Sequence, residues 1–135
     1  MLYKMRESEF EKVYEIIREA FPADERRTYD EEKCLLDNPA FEILVWKDGK
    51  NGAVKGFISV YRIEGFCFVE HFAVNAIYRN EGIGKTVLQE LLKKESKVCL
   101  EVEPPETEQA RRRIEFYRRN GFYLNDYPYI QPPIS

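Results

Sequence analysis

Histidine is nearly missing from this 135-residue chain: His71 stands alone, beside only three cysteines, Cys34, Cys67 and Cys99. The cysteines are odd in number, far apart and without C-x-x-C spacing, which argues against a disulfide frame and leaves three reduced thiols. So few soft ligands do not make a zinc-type site, and no metal is expected. Long apolar runs are lacking too, and nothing approaches the roughly 20 residues that cross a bilayer. The N-terminal stretch "MLYKMRESEFEKVYEII" carries acidic residues throughout and has no apolar h-region, so it does not read as a secretory signal. A cytoplasmic protein with no membrane partner is expected. Excess positive charge is absent as well: 21 Lys and Arg against 24 Asp and Glu give a net charge of −3. That balance argues against non-specific nucleic-acid binding, although "RRR" at Arg111 to Arg113 and "RR" at Arg118 and Arg119 share one segment, read as a solvated helix face.

What is present points to a single domain over residues 1–135, long enough to bury a sizeable core and too short to divide. "MLYKM" is a short strand candidate. In "SEFEKVYEIIREAF", Phe10, Val13, Ile17 and Ala20 fall near one helical face, and Ser8 with Glu11 makes a capping box. Pro22 ends that pattern. Thr28 with Glu31 repeats the capping box before a second, shorter helix that Pro39 stops. Three strands follow, Phe41 to Lys47, Val54 to Arg62 and Phe66 to Val74, joined by "DGKNG" and "EG", whose turn chemistry suits hairpins. A helix then begins near Gly82 and buries Val87, Leu88, Leu91 and Leu92. "KVCLEV" is a fifth strand. A helix with Ala110, Ile114 and Tyr117 on one face ends at Asn120-Gly121. "FYLNDYPYI" is a last extended stretch. The order β-α-α-β-β-β-α-β-α-β is an α+β chain with a central mixed, mostly antiparallel sheet flanked by about four helices.

The stretch "RNEGIGKT", Arg79 to Thr86, has two readings. From its right-hand end, "GKT" suggests the P-loop of nucleotide hydrolases, but that loop needs a glycine where Arg79 stands. From its left-hand end it is a short strand-to-helix connection, whose glycines bring the first free N–H groups of a helix to an anion. Gly82 and Gly84 leave room for a pyrophosphate to approach the backbone, and Lys85 or Arg79 adds charge at the rim.

"FAVNAIYRNEGIGKTVL" resembles motif A of the GNAT-type N-acetyltransferases, roughly V-x-P-x-Y-R-x-x-G-[IL]-G, with Val74, Tyr78, Arg79, Gly82, Ile83 and Gly84 in register. Ala76 and Asn80 stand where proline and glycine are frequent. Downstream, "LEVEPPETEQARRRIEFYRRNGF" is similar to motif B of that family, through Leu100, Glu101, Val102, Ala110, Tyr117, Gly121 and Phe122, with Thr107 in place of the usual asparagine. The resemblance covers Met1 to about Ile130. It implies a GNAT-like acyl-CoA N-acyltransferase fold in which the usual seventh strand is missing. Either the chain is truncated at "QPPIS", or a loop or partner covers that edge, which is open to a second copy of the chain.

The resemblance further implies acetyl-CoA as cosubstrate and direct transfer of its acetyl group to a primary amine, of a small molecule or a peptide, in a ternary complex. The pyrophosphate is expected on Arg79, Asn80, Glu81, Gly82, Ile83, Gly84, Lys85 and Thr86, and the pantetheine along Phe72, Ala73 and Val74. Tyr117 stands where the family places the general acid for the thiolate. Two carboxylates are base candidates: Glu70, expected on the same strand face as Val74, and Glu101 on the adjacent strand. His71, expected on the opposite face from Glu70, reads as structural. The acceptor would enter past "FPADERRTYDEEK", where Asp24, Glu25, Asp30, Glu31 and Glu32 form either an acidic rim or a solvated helix start, with "FYLNDYPYI" as a wall. The alternative is a non-catalytic acyl-CoA-binding or protein-interaction module on the same fold.

Overall fold

A computed structural model describes residues 1–124. Five strands form one sheet in the order β1 (Leu2–Lys4), β2 (Phe41–Trp46), β3 (Gly56–Ile63), β4 (Phe66–Val74) and β5 (Val98–Leu100). The first four pair antiparallel and β4 pairs parallel with β5. Helices α1 (Phe10–Ala20) and α2 (Tyr29–Leu35) precede the meander, α3 (Ile83–Lys94) links β4 to β5, and α4 (Glu108–Arg119) follows β5. The sheet divides the core. Phe10, Val13, Ile17, Phe41, Val45 and Phe57 pack on the α1 face, whereas Leu44, Ile58, Val60, Cys67, Val69, Val87 and Leu91 pack on the α3 face.

Local chemistry explains most boundaries. At 11 residues α1 is too short to stand alone in water and is held by burying Phe10, Val13, Tyr14, Ile16 and Ile17. Its start differs from the expected Ser8–Glu11 box: a 3-10 turn at Glu7–Glu9 comes first, and the Glu9 carboxylate accepts from the Arg6 N–H at 2.8 Å. The second box is present, with Thr28 N–H to Glu31 Oε1 at 2.9 Å and Glu31 N–H to Thr28 Oγ1 at 3.2 Å. In the β3–β4 turn Glu64 and Gly65 have φ of 25° and 89°, the doubly positive pair of a two-residue hairpin. α4 closes in a Schellman arrangement, Phe122 N–H to Tyr117 O and Gly121 N–H to Arg118 O, which uses the left-handed Gly121. Phe122–Leu124 are not in a strand, and the remainder of the expected last strand, with the "QPPIS" end, lies outside the described residues.

One irregularity sets the site. Val60 pairs with Val69 but Ser59 pairs with His71, so Glu70 is an extra residue, a β-bulge. Before it Cys67 and Val69 face α3; after it Phe72 and Val74 do, although strict alternation would turn them away.

Candidate active site

β4 and β5 pair only from Cys67↔Val98 to Val69↔Leu100. Beyond the bulge β4 keeps β3 as partner through Gly56↔Val74, while its other edge, at Phe72 to Val74, has no partner strand among the described residues. A wedge opens there. β4 then runs through a 3-10 turn at Ala76–Tyr78, whose first residue is prepared by the Asn75 side chain accepting from Ile77 N–H. Asn80 at φ 70° and Gly82 at φ 75° turn the chain into α3.

Gly82 is the N-cap of α3 and offers no side-chain hydrogen bond, unlike Thr28 and Thr107, which cap α2 and α4. The first α3 amides therefore remain open at the positive end of a 12-residue helix. Thr86 donates its hydroxyl to Gly82 O at 3.0 Å, and like Arg79, Glu81 and Lys85 it is exposed around the turn. Ile83 is 8% exposed and serves the core under α3.

A cavity of about 350 Å³ occupies the wedge, lined by Phe72, Ala73, Val74 and Gly84 on one side and by Gln109, Arg112, Arg113, Phe116 and Tyr117 of α4 on the other. At Gly84 an added Cβ would lie 3.7 Å from the Phe72 and Phe116 rings, ordinary contact, so nothing among the described residues demands glycine there. Tyr117 stacks edge-on against Phe116 and Phe122, with ring centroids at 5.4 and 5.6 Å. Burial pushes its phenol above the usual value, against a smaller downward pull from Arg113. A neutral, proton-bearing hydroxyl therefore lies at the cavity wall.

Glu70 and His71 are found elsewhere than expected. The bulge sends both to the α1 face, so Glu70 does not share a face with Val74 and His71 does not oppose Glu70. Arg27 grips the carboxylate of Glu70 with two bonds, Nη1 to Oε1 at 2.8 Å and Nη2 to Oε2 at 2.6 Å. It also reaches Glu32 Oε1 and the Tyr61 hydroxyl, both at 3.2 Å. The bond to Glu70 holds the guanidinium protonated well above its ordinary range. Glu32 is 1% exposed, so this member of the expected acidic rim is a core group. Burial raises its carboxyl despite the opposing pull of Arg27. Asp24, Glu25, Asp30 and Glu31 are exposed.

Beside this network a second cavity, about 180 Å³, is lined by Ala20, Phe21, Pro22, Glu25, Val102, Glu103, Gln109, Ala110 and Arg113. Gln109 and Arg113 line both cavities. Glu101 lines neither; it is exposed just past the end of β5. Sequence reasoning passed over Arg27, Gln109 and Arg113. Three adjacent arginines on a polar helix face carry no mark of which one turns to a cavity, and Arg27 looks like part of a solvated link. The mark for the bulge was visible: two consecutive polar residues, Glu70-His71, inside an apolar strand.

Cys34 is exposed, Cys99 half-buried and Cys67 buried, all three free, with the Cys67 thiol pushed up to about 12 by burial. Among the described residues no group of three or more His, Cys, Asp or Glu is placed to hold a metal ion, and no helix is long and apolar enough to cross a membrane.

This chain belongs to the acetyltransferase (GNAT) family, whose model matches residues 10–122. A solved structure from Bacteroides thetaiotaomicron, titled "Putative acetyltransferase from GNAT family", superposes with a TM-score of 0.88 at 34% identity, over 98% of this chain and 77% of that one. "Putative acetyltransferase YjbC" of Bacillus subtilis (strain 168) is 28% identical over 111 residues, 81% of this chain. The chain spans 55% of the length of that relative. The ribosomal-protein-S18-alanine N-acetyltransferase of Escherichia coli shares the fold, with a TM-score of 0.71 at 17% identity over 90% of this chain and 76% of that one.

Proposed function

We propose that residues 1–135 form one catalytic domain, an N-acetyltransferase that moves the acetyl group of acetyl-CoA directly to a primary amine in a ternary complex. The observation that carries this reading is the meeting of three features at one wedge: an uncapped helix N-terminus, a strand edge unpaired among the described residues and a half-buried phenol. Each suits one part of the donor. The open amides of α3 take the pyrophosphate, with Arg79 and Lys85 at the rim. The free edge of Phe72 to Val74 takes the amide groups of the pantetheine, and one of its N–H groups faces the thioester oxygen. Acetyl-CoA supplies the activated acyl group, and the protein positions it.

The acceptor enters through the second cavity, whose wall is shared with the first at Gln109 and Arg113. Glu70, whose neighbour His71 packs on Phe21 of that cavity, takes the proton of the attacking amine through a water, and Tyr117, in the first cavity, gives its phenolic proton to the departing thiolate. Glu101 is the second carboxylate candidate, and a comparison of Glu70→Gln with Glu101→Gln decides between them. The reading is tested by thiol release from acetyl-CoA over a panel of amines. Turnover with at least one primary amine is expected. Tight acetyl-CoA binding with no turnover on any amine would leave the non-catalytic binding module in its place.

A further inference from the structure

The β4 bulge delivers two adjacent polar side chains to one face, and the reaction described above uses only Glu70. His71 is the single histidine of the chain. Its Nε2 lies 3.1 Å from the carbonyl oxygen of Glu25. A carbonyl only accepts, so that bond requires the proton on Nε2 and leaves Nδ1 as the basic nitrogen of the neutral ring. Nδ1 is buried with no hydrogen-bond partner among the described residues, and Glu70 Oε1 stands 3.6 Å from it. Two acceptors at that distance do not bond; a proton placed between them makes the bond. A buried lone pair without a donor is uncommon and calls for a reason.

Arg27 decides on which atom such a proton rests. Its two bonds to Glu70 need an ionised carboxylate. A proton left on Glu70 would weaken both, whereas a proton on His71 Nδ1 keeps Glu70 charged between two cations. The other groups facing the pair are Glu32 on α2, whose Oε1 accepts from the same Arg27 while its Oε2 is buried without a partner among the described residues, and the Tyr61 hydroxyl on β3, which also accepts from Arg27. The location fits. The His71 ring packs on Phe21 at 4.6 Å between centroids, and Phe21 and Glu25 both line the second cavity.

We propose that His71 is a proton relay: the proton lost by the acceptor amine crosses Glu70 and comes to rest on His71 Nδ1, with Arg27 holding Glu70 in place. As the C–N bond forms and the C–S bond breaks, one proton goes from nitrogen to Nδ1 and one from Tyr117 to sulfur. The imidazolium then releases its proton to solvent while the phenolate regains one. The relay rests on the reading of Glu70 as the base for the amine. His71 acts through Glu70 and is a positioning residue, not one that touches substrate.

A lone histidine makes the first readout clean. In ¹⁵N NMR of the full chain labelled at the imidazole, the neutral ring carries its proton on Nε2, and Nδ1 is protonated on acidification. A neutral ring protonated on Nδ1 overturns the relay. The second readout is kcat/KM against pH, for the best acceptor among ethanolamine, 1,5-diaminopentane, lysine and a tripeptide. In the native chain it falls about tenfold per pH unit as the amine protonates and about a hundredfold per unit once His71 is protonated as well. In His71→Asn the steeper limb disappears while the affinity for acetyl-CoA stays within about twofold. Persistence of the hundredfold limb in that variant overturns the relay alone. Absence of turnover with every amine, with acetyl-CoA still bound, would remove the transferase reading and the relay together.

Discussion

At the scale of single residues, Tyr117 and the two motif glycines separate chemistry from architecture. Burial raises the Tyr117 phenol, with Arg113 pulling the other way. The acid form therefore persists throughout the neutral range and is lost only as the pH rises past the usual phenol value of about 10. Accordingly kcat is expected to show no alkaline decline up to about pH 9.5. Tyr117→Phe keeps the ring contacts with Phe116 and Phe122 and removes only the proton. Turnover should fall about 10-fold or more while the affinity for acetyl-CoA, measured by calorimetry, changes little. Gly82 and Gly84 should respond in opposite ways. Gly82 sits at φ 75°, so Gly82→Ala strains the backbone and costs about 1–2 kcal/mol in denaturant melts. At Gly84 a methyl group meets only the Phe72 and Phe116 rings at 3.7 Å. Gly84→Ala is therefore expected to stabilise the helix by up to about 1 kcal/mol yet weaken acetyl-CoA binding, because the methyl projects into the wedge proposed for the donor.

Among the elements, the clearest test concerns how the start of α1 is fastened to the end of β2. Lys47 is 1% exposed, with Nζ at 2.7 Å from Glu9 Oε2 and 2.8 Å from Lys50 O, over the ring of Tyr3. Burial pushes the Glu9 carboxyl up, but the bonds from Lys47 and the Arg6 N–H, with the charge of Lys47, outweigh it and hold the group below its ordinary range. The stability from this pair is thus present above the usual carboxylate pKa and fades as the pH falls through the lower folded value. Glu9→Gln strands a buried ammonium and should cost about 3 kcal/mol, whereas Lys47→Met removes that charge and should cost less than about 1.5 kcal/mol. Urea melts of the two variants compare these directly. How legible such elements were depended on how local their causes are. The β2–β4 meander and the Thr28 cap follow from alternation and from residues three apart, and they were read close to where they lie. The cap of α1 was misplaced because Glu9 and Glu11 offer equivalent carboxylates, and only the burial of Lys47 selects Glu9. The faces of Glu70 and His71 were reversed because pairing register is settled between strands and not along one. Glu32 looked like surface because its partner Arg27 is fixed by Glu70, 43 residues away along the chain.

For the whole molecule, the sheet separates two cavities. The α3 side carries the wedge proposed for the donor, and the α1 side carries the ion network and the second cavity, and among the described residues the walls shared by the two come from α4. The donor alone should therefore stabilise the chain without the acceptor. Acetyl-CoA at 100 times its Kd is expected to add about 2.7 kcal/mol, a rise in Tm of roughly 10 °C by scanning calorimetry; no shift at millimolar acetyl-CoA would argue for a protein-interaction role. Of the residues expected around the donor, Phe72, Ala73, Val74, Gly84 and Tyr117 line one cavity, and they were legible because two short motifs carry them. The second cavity was not, since its walls come from segments about 80 residues apart that share no pattern. The bulge has a last consequence. Deleting Glu70 would leave a regular strand in which Phe72 and Val74 still face α3 and His71 and Ala73 still face α1, because the residue removed is the one that breaks the alternation. Substitution silences the carboxylate, and deletion silences it too while leaving the wall of Phe72 and Val74 standing. Position 70 is thus a spare letter in this strand, one that can be rewritten or dropped without changing how the letters after it are read.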